Sequence, residues 1–151
     1  MSLTIDPLGE HRDLIALTVD WHVAEFDPGG DRAMWMRARE EEARSEGVPC
    51  AWIAFMDAEP VGSVSLIASN METRRELTPW LAALFVLPTW RGRGIGSALM
   101  ERCVVEARTS RFSTLYLHTS TAESYYRRRG WISIGREPYE GVEVTLIELR
   151  L

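Results

Sequence analysis

The sequence has no lysine: all seventeen of its basic residues are arginine. That absence removes the lysine on which a P-loop depends and leaves forked guanidinium groups to meet phosphate or carboxylate. Cysteine is scarce as well. Cys50 and Cys103 are the only two, both in apolar surroundings and without metal-ligand spacing, so they read as buried structural residues and no metal is expected. No apolar run reaches the ~18 residues that a membrane span requires. A basic surplus is missing too: the net charge of -5 argues against broad nucleic-acid binding, so any anionic ligand must be held locally. Met1 to Asp6 shows neither the basic nor the apolar region of a signal peptide, and the expected location is cytoplasmic. Repeats, low-complexity tracts and linkers are absent, and 151 residues suit one domain, 1–151.

What is present is a regular alternation of periodic segments. After a short start at Leu3 to Ile5, Leu14, Leu17 and Trp21 recur at helical spacing, predicting a helix from about His11 to Phe26 that Asp27-Pro28-Gly29-Gly30 breaks. Asp31 reads as the N-cap of a second helix reaching about Glu46, with Gly47 as its stop and Glu40 to Glu42 as a solvated face. Ala51 to Met56 and Val61 to Ala68 form a predicted hairpin, and Trp80 to Val86 is a further apolar strand. A helix from about Gly94 to Thr109 follows, with Ile95, Ala98, Leu99, Cys103, Val104 and Ala107 on its inner face. Leu115 to Thr119 (strand), Ala122 to Arg129 (helix), and Trp131 to Ile134 with Val142 to Leu149 (strand pair) complete the chain. The pattern specifies an α/β (α+β) domain with a mixed central sheet of six to seven strands flanked by about four helices.

One segment carries chemistry. The strand Leu84-Phe85-Val86 runs through Pro88-Thr89-Trp90 into Arg91-Gly92-Arg93-Gly94-Ile95-Gly96 and then the long helix. Glycines at a helix N-terminus let backbone N–H groups converge on an anion that the helix dipole also favours. The P-loop template fails for want of lysine. The dinucleotide fingerprint fails because its glycines fall out of register, with Leu99 where a small residue is required.

The spacing Arg-x-x-Gly-x-Gly at Arg91 to Gly96, directly after the strand Leu84 to Val86 and its Pro88, resembles the GNAT superfamily of N-acetyltransferases, and the element order resembles it along nearly the whole chain. The resemblance implies acetyl-CoA as co-substrate. Leu84, Phe85 and Val86 would offer backbone groups to the pantetheine arm, and Arg91, Gly92, Arg93, Gly94, Ile95, Gly96, Ser97 and Ala98 would hold the pyrophosphate. Similar enzymes place a tyrosine shortly before a Gly-aromatic pair, here Tyr126 before Gly130-Trp131, whose phenol protonates the departing thiolate. Tyr125, one place earlier, is expected to face the core. Many relatives carry Asn seven residues before the tyrosine; Thr119 stands there.

Transfer to an amine also requires a base or a water chain. His118 has a suitable intrinsic pKa; Glu76, Glu140 and Glu143 are alternatives, and a water relay is another. By the same resemblance the acceptor site draws on residues 21–30 and 70–80. Trp21, Glu25, Phe26, Glu76 and Trp80 suit a cationic amine, whereas Arg74 and Arg75 suit an acidic one. The expected reaction is acetyl transfer to a primary amine of a small molecule or peptide; a non-catalytic CoA-sensing or interaction module of the same fold is the alternative. A homodimer is expected by analogy alone.

Overall fold

Seven strands form one continuous sheet in a computed structural model that describes residues 1–151. In chain order they are β1 (Leu3–Pro7), β2 (Cys50–Met56), β3 (Glu59–Ile67), β4 (Trp80–Val86), β5 (Thr114–Thr119), β6 (Ile132–Tyr139) and β7 (Val142–Arg150). The spatial order is β1-β2-β3-β4-β5-β7-β6, and β4 and β5 are the parallel pair while every other neighbouring pair is antiparallel. Helices α1 (Ile15–Phe26) and α2 (Arg32–Glu42) cover one face; α3 (Ile95–Thr109) and α4 (Glu123–Arg127) cover the other.

Strand β2, flanked by β1 and β3, is buried along its whole length because it serves two cores. Cys50, Trp52 and Ala54 pack toward Ile95, Leu99, Cys103 and Ala107 of α3. Ala51, Ile53 and Phe55 face Ile15 and Val19 of α1 together with Leu8 and Ala43. A strand with two buried faces reads as a continuous apolar run, as Ala51 to Met56 does. The β2–β3 hairpin closes through Asp57 and Ala58, both in the left-handed region at φ 49° and 72°, which matches the twist of the strands it joins. Cys50 and Cys103 are free and buried, and burial raises both thiol pKa values, that of Cys50 to about 11.

Two helix boundaries differ from expectation. The segment before Ile15 forms two short 3-10 turns, Leu8–Glu10 and Arg12–Leu14, so α1 begins four residues later than the periodicity predicts. α2 starts at the predicted cap, with Asp31 accepting from the amides of Ala33 and Met34, but ends at Glu42. Ala43 drops into the core beside Leu8, and the Gly47 N–H is drawn to the Glu106 carboxylate on α3; tertiary packing here overrides helix propensity. No helix is long and apolar enough to cross a membrane.

Candidate active site

β4 and β5 meet at a single bridge, Trp80 to Tyr116, and share no pairing beyond it. Beside the divergence β4 bulges: Ser63 pairs with Phe85 and Ser65 with Ala82, so one residue of β3 spans two of β4, and Ala83 takes φ 52°. A non-glycine residue in that region is strained, and such strain concentrates at functional sites. The divergence opens a cavity of about 1420 Å³ that runs from the α3 N-terminus, past β4, to the α1–α2 face.

At the first end lies the glycine turn. Gly92 and Gly94 have φ 76° and 82°, and Gly94 in the left-handed conformation is the residue from which α3 starts. No side chain caps α3, so its first amides remain available to a ligand, with the dipole of a 15-residue helix behind them. Leu84, Phe85, Val86, Arg91, Gly92, Gly94, Ile95, Gly96 and Ser97 all line the cavity. Arg93 and Ala98 do not: the Arg93 guanidinium lies 4.8 Å above the Trp90 ring, and Ala98 turns away with its helix. Arg91 Nε donates to the Val86 carbonyl at 2.8 Å, tying the turn to the end of β4. These uncapped amides and unpaired strand edges fit an extended cofactor that carries phosphates.

The two neighbouring tyrosines differ in depth and both line the cavity. Tyr126 is the more buried, seated among the α3-side core residues and edge-on to Trp131 at 5.9 Å, yet it still reaches the cavity. Burial, with Tyr125 beside it, pushes its pKa up to about 12, against the Arg129 charge. Tyr125 is half-buried against the same core, as expected, and also lines the cavity. Its hydroxyl lies 3.2 Å from Ser97 Oγ at the α3 N-terminus, and Arg129 stacks 3.6 Å above its ring while donating to the same Ser97 Oγ at 3.0 Å. Thr119 lines the cavity, but its Oγ1 accepts from the amides of Thr121 and Ala122 and so fixes the turn into α4.

On the far face the floor is small, Ala82 and Ala83, with polar groups to either side. Toward β5 stands His118, edge-on to Trp80 at 6.0 Å and to Tyr139 at 5.6 Å; burial lowers its pKa, opposed by Glu140. Toward β3 lies a network that sequence reading missed. Arg39 Nη1 donates to Ser65 Oγ at 2.6 Å and to Glu42 Oε1 at 3.0 Å, and its Nε donates to Thr18 at 3.2 Å. His22 Nε2 is 3.2 Å from Ser63 Oγ, and burial, then the Arg39 charge, depresses its pKa to about 2. Glu42 is no solvated carboxylate: its side chain is 12% exposed, and burial raises its pKa against the pull of Arg39 and Ser65. The only sequence signal was the i,i+3 spacing of Arg39 and Glu42, which exposed helical pairs share.

Of the acceptor-side candidates, Glu25 and Phe26 line the cavity. Trp21, Glu76 and Trp80 do not. Trp21 packs on Phe85 at 5.5 Å, Trp80 is wholly buried with its indole N–H on the Leu77 carbonyl, and Glu76 is an exposed partner of Arg74. Glu140 is on the wall and Glu143 is not. Arg74 is held by Glu137 at 2.6 Å and, like Arg75, lies off the cavity. No group of residues suited to hold a metal ion is present.

The sequence profile of the acetyltransferase (GNAT) family matches residues 15–131. The chain belongs to that family. Among solved structures, an acetyltransferase of the GNAT family from Streptococcus pneumoniae superposes with a TM-score of 0.74 at 18% identity, covering 99% of each chain. The yncA protein of Salmonella typhimurium, solved with its cofactor acetyl-CoA, gives 0.73 at 17% identity over 100% of this chain and 95% of that one. A chain of the NatC complex bound to Gag peptide and CoA gives 0.76 at 17% identity, covering 100% and 99%. At such identities the likeness is one of fold. No curated protein matches the sequence.

Proposed function

We propose that this protein transfers the acetyl group of acetyl-CoA to a primary amine by direct attack. The observation that carries the reading is the single-bridge divergence of β4 from β5, which puts the uncapped α3 amides and Tyr126 on one cavity. The α3 amides would hold the coenzyme phosphates, as Leu84 to Val86 would hold its pantetheine arm. Solved relatives of the same fold hold CoA or acetyl-CoA.

In the reaction the neutral amine attacks the thioester carbonyl, a C–N bond forms, the C–S bond breaks, and the thiolate takes a proton. Tyr126 is suited to supply it because burial keeps the phenol protonated well above neutral pH. His118 is suited to take the amine proton: burial keeps its imidazole neutral below the ordinary histidine range, and it borders the Ala82–Ala83 floor. Acidic, neutral and polyamine acceptors, followed by free thiol, test the reading. A melting temperature raised by CoA together with thiol release for at least one amine supports it. Tight CoA binding with no thiol release from any amine would favour the sensing module instead.

A further inference from the structure

The acceptor half of the cavity holds a carboxylate with one oxygen to spare. Both bonds to Glu42, from Arg39 Nη1 and Ser65 Oγ, land on Oε1, and Oε2 has no protein donor. The sealed, unpartnered side-chain atoms are His22 Nδ1, Arg39 Nη2, Trp52 Nε1 and Arg102 Nη1. Glu42 Oε2 is not one of them, so it keeps some exposure, and Glu42 is among the residues that line the cavity. A carboxylate withdrawn from bulk water, held rigidly by one oxygen and free at the other, calls for a donor.

Its position relates it to the chemistry. Ser65, which grips Glu42, is the cross-strand partner of Ala82, the residue just before the bulge at Ala83. Glu42 is therefore one cross-strand pair and one hydrogen bond away from the floor on which an acyl group would sit, on the side opposite His118. Phe26, Met34 and Trp35 supply apolar and aromatic walls nearby. Such walls suit methylenes beside a cation.

The charges favour a cation over an anion. Arg91, at the glycine turn, forms a half-exposed ion pair with Glu25 at 3.6 Å, and Arg129 stands at the α3 N-terminus. That leaves Glu42 and Glu140 on the acceptor side against Arg39 alone, an excess of one negative charge. An acidic guest would find only the sealed nitrogen of Arg39 and would face both carboxylates.

We propose that the acceptor is a linear alkyl diamine or polyamine, and that Glu42 Oε2 holds its distal, non-reacting ammonium while the other amine is acetylated over Ala82 and Ala83. The proposal rests on the acetyltransferase reading for the reacting end only; the ammonium site exists or fails independently of turnover.

The test is calorimetric titration of the whole protein, with and without CoA, with a linear alkyl diamine and with the monoamine of equal chain length, alongside thiol release from acetyl-CoA with each. The expected result is at least about tenfold tighter diamine binding, a ratio that collapses in Glu42→Gln. Because that variant leaves Arg39 without its counter-charge, Arg39→Met/Glu42→Leu, which removes both charges, must lose the same preference while CoA still raises its melting temperature. Equal binding of the two amines by the unaltered protein, or a diamine preference that survives both variants, overturns the proposal. Diamine binding without thiol release retains the site and removes the transferase reading. Thiol release from monoamines with no diamine preference does the reverse.

Discussion

The Tyr125 hydroxyl and Ser97 Oγ lie 3.2 Å apart, joining α4 to the first turn of α3, and Arg129 covers both. The guanidinium donates to the Tyr125 carbonyl at 2.9 Å, which fixes a positive charge beside the uncapped α3 amides. Arg129→Ala should weaken CoA binding by about tenfold at low salt, with a smaller difference at high salt, as expected of a lost charge-assisted contact. Isothermal titration at two ionic strengths measures it, and equal affinities would remove Arg129 from the coenzyme site.

Tyr126→Phe should reduce kcat by about a hundredfold or more, in the range typical of a lost general acid, with little change in CoA affinity. Since burial raises the phenol pKa to about 12, activity should not fall through pH 9 to 10 on account of this residue. Steady-state kinetics across that range decide the matter; an unimpaired variant removes the assigned role.

For His118 the sign follows from burial. A lowered pKa keeps the imidazole neutral, and so able to accept a proton, below its ordinary value of about 6.5. The acid limb of the kcat profile should therefore lie below that value and disappear in His118→Gln. A limb unchanged in the variant would assign it to another group or to a water relay.

His22 has a consequence for stability rather than rate. Its folded pKa of about 2 lies far below the unfolded value, so acidification protonates the unfolded chain and not the folded one. Stability from this group is full above about pH 6.5 and declines by about 1.4 kcal/mol per pH unit below it. Denaturant unfolding between pH 7 and pH 4 should show a shallower dependence on pH for His22→Gln than for the unaltered protein.

Gly62 tests the bulge mechanically. A Cβ there would lie 2.6 Å from the Phe85 carbonyl oxygen, a backbone atom that cannot give way without moving β4. Gly62→Ala should lower the melting temperature by several degrees, corresponding to about 1–3 kcal/mol, and impair CoA binding with it. At Gly94 nothing obstructs a Cβ, so Gly94→Ala should cost only the left-handed strain of about 1–2 kcal/mol at the start of α3.

The sequence by itself determined the element order, the two-faced burial of β2 and the glycine turn opening α3, because each depends on neighbours in the chain: periodicity, caps, and residues that tolerate positive φ. The family resemblance pointed to Tyr126, and intrinsic pKa and place at a strand end pointed to His118; both roles belong to the proposal. Only the tertiary structure decided that Ala83 bulges beside Ser65, that Trp80 and Trp21 pack away from the cavity, and that Glu42 is buried against Arg39. Those facts depend on which strand lies next to which and on how far apart β4 and β5 are held. A glutamate in the run Glu40-Glu41-Glu42 looks like its neighbours until α2 is laid across β3. Burial then separates one carboxylate from the other two.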